Sequence, residues 1–402
     1  MHRSTTALVL CLAPMAICAT HSASTGPDLA TRLQVHGFAS QAAVHTSQNR
    51  WLGDSPDTST EFTELGVNAS LRLSPRLLVS GQILSRRAGD MYDGAPALDY
   101  GLADLKLLYS DAYRLGLRLG RLKNPLGLYN ETRDMPFTRP GIFLPQAVYF
   151  DKVRNLVLSS DGVMAYGELY RGFGSLAFDL VAGRPLIDDN VEWAYLNQDF
   201  AGDLDIDGVS WLGGIWYSSL AERFKLGLSW ADLRLAFDPD AGAPFTIGPG
   251  QTDILYWIAS FQYNAEDWTL SAEYAREPIE WRGYGPLVSD RDATGEGWYI
   301  QGTYRLEPQL SCFLRWERGV ADTADRDGTE LETGSGGLVP AHVGFTKSLS
   351  AGLRWDINRH WMAQAEYAYN EGTFTLSARE NPVFRDHSKY WSLFALQLAF
   401  RF

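Results

Sequence analysis

The sequence predicts an all-β fold: a transmembrane, antiparallel up-and-down β-barrel of about sixteen strands, with a long third extracellular loop folded inward. Three observations predict it. Apolar and polar residues alternate with period two in stretch after stretch, as strands with two unlike faces require. The segments between those stretches are short and long by turns. Charges such as Arg118, Glu273, Arg315 and Glu366 stand far from the strand ends, on the face opposite the apolar one. A soluble β-sandwich or propeller also alternates. It would not put its apolar face out and its charges in, nor set Trp230, Trp257, Trp268, Trp298, Trp316, Trp355 and Trp361 near strand ends on the apolar side.

The chain begins with a short basic start (Arg3) and an apolar run, Leu8–Ala19, followed by small residues at Ala19, Ser22 and Ala23. This reads as a secretory signal peptide over residues 1–23, cleaved within 19–24, with the barrel occupying 24–402. Cys11 and Cys18 leave with it, so the mature chain keeps Cys312 alone and forms no intramolecular disulfide. No later apolar run reaches the roughly 18 residues of a membrane helix. A net charge of −13 speaks against nucleic acid as a partner. Export, strands rather than helices, and 13% aromatic residues point to an outer membrane.

The strands follow in order. Leu33 to about Val44 opens the barrel. Leu65, Val67, Ala69, Leu71 and Leu73 form one face of the next strand, and Glu64, Gly66, Asn68, Ser70 and Arg72 the other. Ser74-Pro75 turns the chain, and Leu77, Val79, Gly81 and Ile83 resume the apolar face. Hairpins with the same pattern turn at 110–112, 172–174, 218–222, 264–267, 307–309 and 358–360. Long polar segments alternate with them at 46–60, 86–97, 123–160, 184–208, 237–252, 282–296, 320–341 and 376–388. Each strand spans about the 9–11 residues that a tilted membrane strand needs. By phase, Cys312 shares the lipid face with Leu310, Leu314 and Trp316.

One segment breaks the rhythm. From Lys123 to Ser160 the alternation stops, and Pro125, Pro136, Pro140 and Pro145 forbid a continuing ladder. Loops beyond about 12–15 residues are functional or disordered, and this one is rich in aromatics. It carries Lys123, Arg133, Arg139, Lys152 and Arg154 against Glu131, Asp134 and Asp151, a net of +2 in a chain of −13. Phe137, Ile142, Phe143 and Leu144 suit packing against a wall, so the segment is expected to constrict a pore. Counting from the turns places Gln82, Arg118, Glu168, Asp179, Glu273, Arg315 and Glu366 at mid-depth, facing the lumen. These are candidate pore residues or lumen charges that simply pair with each other.

Asp203, Asp205, Asp207 and Gly208 read D-x-D-x-D-G, a spacing that suits Ca²⁺. The closing Glu is missing, so a hydrated acidic loop, or one binding ions that bridge lipopolysaccharide, stands beside that reading. No other cofactor is expected. Neither H-E-x-x-H nor G-x-S-x-G occurs, which counts against an enzyme.

The last strand, YWSLFALQLAFRF, resembles the carboxy-terminal signal of Gram-negative outer-membrane proteins, ending in the aromatic Phe402. The resemblance implies recognition by the barrel assembly machinery. Strand number and loop order resemble the sixteen-stranded porins, whose third extracellular loop folds inward between the fifth and sixth strands. The basic residues of the loop bring the chain nearer the phosphate-selective porin-like group. That likeness implies a lipid-embedded homotrimer, passing small hydrophilic solutes without catalysis. A barrel enzyme, or an adhesin with no open pore, is the alternative.

Overall fold

A computed structural model describes residues 32–243 and 246–402; the expected signal segment lies outside them. Seventeen strand segments form one sheet. In chain order they are β1 (Leu33–Thr46), β2 (Ser59–Arg72), β3 (Leu77–Ala88), β4 (Tyr92–Tyr109), β5 (Tyr113–Lys123), β6 (Ser159–Arg171), β7 (Gly174–Pro185), β8 (Gly202–Ile206) and β9 (Ser210–Ser219). Then come β10 (Phe224–Pro239), β11 (Gln251–Asn264), β12 (Trp268–Arg282), β13 (Arg291–Glu307), β14 (Leu310–Val320), β15 (Phe345–Asp356), β16 (Trp361–Gly372) and β17 (Tyr390–Arg401). Segments β8 and β9 both pair antiparallel with β10, so they are one strand broken at 207–209, and the barrel has sixteen staves. Gly208 sits in the break at φ +75°, a conformation that glycine adopts without the usual Cβ penalty.

Strand β1 pairs with both β2 and β17 and closes the barrel. At this seam the Phe402 N–H donates to the Gly37 carbonyl at 3.0 Å. The Phe402 ring lies 2.6 Å from where a Gly37 Cβ would stand, so a larger residue there would have to push the ring aside. Both ends of the barrel sequence lie at the end of the short turns. The long connections gather at the other end, with one correction. The segment expected at 86–97 is mostly strand, because β3 and β4 run on to a three-residue link at 89–91.

The outer surface changes character along the strands, and β10 shows how. Phe224, Leu226 and Leu228 point outward and are exposed, while Lys225, Gly227 and Ser229 point in. Past Trp230 the faces exchange chemistry: Asp232 and Arg234 point out, and Leu233, Leu235 and Phe237 are buried inside. On β12 the outer face likewise turns polar past Tyr274, with Ile279 and Trp281 buried inside. On β13 the outward residues ahead of Trp298 are Asp292, Thr294 and Glu296, and on β14 Arg318 stands outward past Trp316. An apolar exterior between two rows of aromatics is the bilayer band of a membrane barrel. Above it the barrel reverts to the pattern of a soluble protein. Trp230, Trp257, Trp298 and Trp316 therefore mark the edge of the band rather than the strand ends, since the strands continue beyond it.

This switch corrects the reading of the acidic motif. Asp203 and Asp205 are exposed on β8, whose Leu204 and Ile206 are buried inside. Asp205 pairs with Arg184 at 2.9 Å, and Asp207 accepts from Gln251 at 3.0 Å. An extended backbone holds such carboxylates apart instead of wrapping them round an ion. Among the described residues no three His, Cys, Asp or Glu gather as a metal site. Cys312 is unpaired and pairs across strands with Tyr304 and Leu353, both exposed, on the outer face as its phase requires.

Candidate functional site

Residues 124–158 leave β5 and run through the lumen before β6 begins, ending in a short helix α1 (Arg154–Leu158). Their hydrogen bonds reach strands all round the wall. Gly127 N–H donates to Ser229 on β10, and Leu128 N–H to Glu273 on β12 at 2.8 Å. Phe143 N–H donates to Glu366 on β16, and Ala147 N–H to Glu317 on β14. Arg315 and Arg354 donate back to the Phe143 and Phe137 carbonyls. Residues 141–149 are all buried. A proline-rich segment has few partners of its own, so the wall supplies them.

Wall and loop meet in a lattice of ion pairs. Arg139 donates to both oxygens of Glu64 on β2, at 3.2 and 2.6 Å. Arg86 on β3 stands between Glu64 at 3.6 Å and Asp151 at 3.2 Å. Arg133 shares Asp151 at 3.3 Å. Lys123 pairs with Asp99 and Asp134, and Arg154 with Asp134. Five cations thus face four anions. A β-bulge aims Asp99: it is the extra residue between Leu98 and Tyr100 in the pairing with β3, and it turns inward beside Gln82. Burial is deep, with Glu64 1% and Arg133 4% exposed. Arg86, Arg133 and Arg139 each keep an N–H without a partner. They line a void of about 10 Å³, room for about one water.

Most of the expected residues meet here. Lys123, Arg133, Asp134, Arg139 and Arg154 belong to the lattice. Glu131 faces a cavity of about 320 Å³ that Arg118 and Gln82 also line. Glu273, Arg315 and Glu366 hold the loop against the far wall. Glu273 accepts from Ser260, Tyr149 and Tyr299, and Arg315 pairs with Glu366 at 3.0 Å. Asp179 is partly buried on β7. Two residues lie elsewhere than expected. Glu168 pairs with Arg114 near the turn end, not at mid-depth. Lys152 points away from the lattice into a cavity at the loop end. The period-two count already put Glu64 on the inner face. Arg86 and Asp99 escaped because they fall in or beside the stretch expected to be loop.

A second segment also turns inward. Helix α2 (Asp189–Leu196) starts at Asp188, whose side chain accepts from the Val191 N–H. Asn190 donates to the Met91 carbonyl, and Tyr195 to Glu277 on β12 at 2.7 Å. The helix therefore bridges the mouth from the β3–β4 link to β12. At the rim Glu380, almost fully buried, accepts from the Leu52, Gly53 and Asp90 N–H groups and ties three loops together.

Burial pushes the Glu380 carboxyl from 4.5 up to about 7. A raised carboxyl stabilises the folded rim fully below pH 4.5, and that contribution is lost as pH rises to about 7. Loop-end amides should exchange faster at pH 8 than at pH 5, after correction for intrinsic exchange. Glu380→Gln should flatten the difference, worth at most about 3 kcal/mol. An equal pH dependence in Glu380→Gln would show that another group is responsible.

No protein-family model matches the chain, and no curated protein matches it. Solved structures do. An anion-selective porin from Comamonas acidovorans superposes with a TM-score of 0.55 at 11% identity, over 92% of this chain and 99% of that one. The outer membrane channel DcaP of Acinetobacter baumannii gives 0.55 at 10% identity, over 92% and 97%. OmpT, an outer membrane protein of Vibrio cholerae, in its trimer form, gives 0.54 at 10%, over 92% and 99%. The architecture is that of the sixteen-stranded outer-membrane porins.

Proposed function

We propose that this barrel is a porin of a Gram-negative outer membrane, passing small hydrophilic solutes by diffusion without catalysis. The observation that carries the reading is a loop pinned across the lumen of a barrel too wide for side chains to fill. Sixteen-stranded barrels leave an aqueous channel, and Asn68, Gln82, Arg118 and Glu131 line polar space beside the loop. The 124–158 segment then sets the size limit. Its lattice carries one more cation than anions, which gives a weak preference for anions. A homotrimer, contact with lipopolysaccharide and delivery by the barrel assembly machinery belong to the same proposal.

Planar-bilayer recording in a KCl gradient tests it. Steady open conductance, with a reversal potential displaced modestly to the chloride side, is expected. A silent, ion-tight barrel would overturn the reading in favour of an enzyme or adhesin.

A further inference from the structure

At the loop end lies a cavity of about 390 Å³, in the range of roughly 300–1,000 Å³ typical of small-molecule sites. Its walls are largely apolar and aromatic: Phe150, Trp193, Ile279, Trp281 and Phe374. Of the seven charged side chains that line it, two basic and five acidic, the opposite pair Lys152 and Glu277 stands among the apolar residues. Lys152 donates to the Phe374 carbonyl at 2.6 Å, with its ammonium 4.4 Å from the Phe374 ring centre and 5.3 Å from that of Phe150. Glu277 sits on the inner face of β12 between Ala275 and Ile279, accepting from Tyr195. Among the described residues, Lys152 and Glu277 form no ion pair with each other or with any other group. Each has one hydrogen bond to a neutral group, where a half-buried charge is ordinarily paired. Burial pushes the Lys152 ammonium down to about 8, so it gains from any carboxylate brought to it.

We propose that this cavity binds a small zwitterion with an aromatic or large apolar body, such as a hydrophobic α-amino acid. Its carboxylate meets Lys152, its ammonium meets Glu277, and its side chain lies against the aromatic wall. The site would collect such solutes above the constriction, and in that role it rests on the porin reading. The bland alternative is that Glu277 only latches α2 through Tyr195.

Tryptophan fluorescence of the detergent-solubilised barrel, titrated with four probes, tests it, since Trp193 and Trp281 line the cavity. L-Phenylalanine should bind at least about tenfold more tightly than phenethylamine, hydrocinnamate or glycine. Lys152→Met should erase its advantage over phenethylamine while leaving phenethylamine affinity in place. Glu277→Gln should erase the advantage over hydrocinnamate in the same way. Gel mobility before and after heating checks that both variants fold, and the wild-type probe series stands without them. Four probes binding alike, or variants that weaken all four equally, would overturn the site. The titration needs no current, so the two readings fail separately. Discrimination by a silent barrel sinks transport and keeps the site, and an open pore without discrimination does the reverse.

Discussion

Excising residues 131–145 should raise single-channel conductance severalfold. This segment holds Arg133 and Arg139 of the lattice, and also Phe143, whose peptide bonds to Glu366 and Arg315 on the far side. Without it the ties from the loop to β2 through Arg139 and to β14 and β16 through Phe143 are gone. The excision removes Glu131, Arg133, Asp134 and Arg139, a net charge of zero, yet it strips Glu64 of one arginine and leaves Glu366 only Arg315. It also takes Asp134 from Lys123 and Arg154, so that three lattice cations face three anions and the wider pore should lose its anion preference. Recording the deletion beside the intact barrel, in the same KCl gradient, reads both effects. Unchanged conductance would mean that ions never pass this segment.

Glu64→Gln should be the most damaging single substitution in the lumen. It leaves Arg139 with no carboxylate and Arg86 with Asp151 alone. Removing one partner of a buried pair costs about 3–5 kcal/mol, because the other charge stays buried and uncompensated. Arg234–Asp253, on the outside above the membrane band, is the control: both side chains are at least 40% exposed, and such a pair contributes about 0–1 kcal/mol. The temperature at which the barrel unfolds on gels should drop clearly for Glu64→Gln and hardly at all for Asp253→Asn. Current through the variant should flicker as the loop loses its tether. Adding Arg139→Gln should recover part of the loss, since it removes the stranded charge. Equal losses in the two single variants would remove the lattice from any role in holding the loop.

Much of the barrel was legible because period two is a local property. Each strand announced itself through its own neighbours, and the turn at Ser74-Pro75 or the link at 307–309 needed no distant information. The inward loop was legible too, since four prolines and a cluster of aromatics exclude a ladder and favour a wall. What was lost was lost for two physical reasons. The alternation reverses sense where strands leave the bilayer, so Asp203 and Asp205, outward on a wet strand, looked like an ion-binding loop. The polar stretch at 86–97 looked like a connection for the same reason. Contacts across the lumen, such as Arg139 to Glu64, join residues far apart in sequence, and no local pattern carries them. Helix α2 is short and takes its position from Met91 and Glu277, which sequence cannot bring together.

The reversal of faces above the bilayer band also shapes how this protein can enter a membrane. The loop end carries Asp203, Asp205, Arg234, Asp253, Arg282 and Asp292 on its outside, with Leu233, Leu235 and Phe237 within. If that end crosses the bilayer, its charges must pass through hydrocarbon, where each lipid-facing Arg or Lys costs about 2–4 kcal/mol at the midplane. A stave that crossed alone would carry its charges bare and its leucines unburied. Staves that cross together can close the apolar interior first. The expected transit state is then a nearly assembled cylinder, and unassisted entry into plain lipid should be slow.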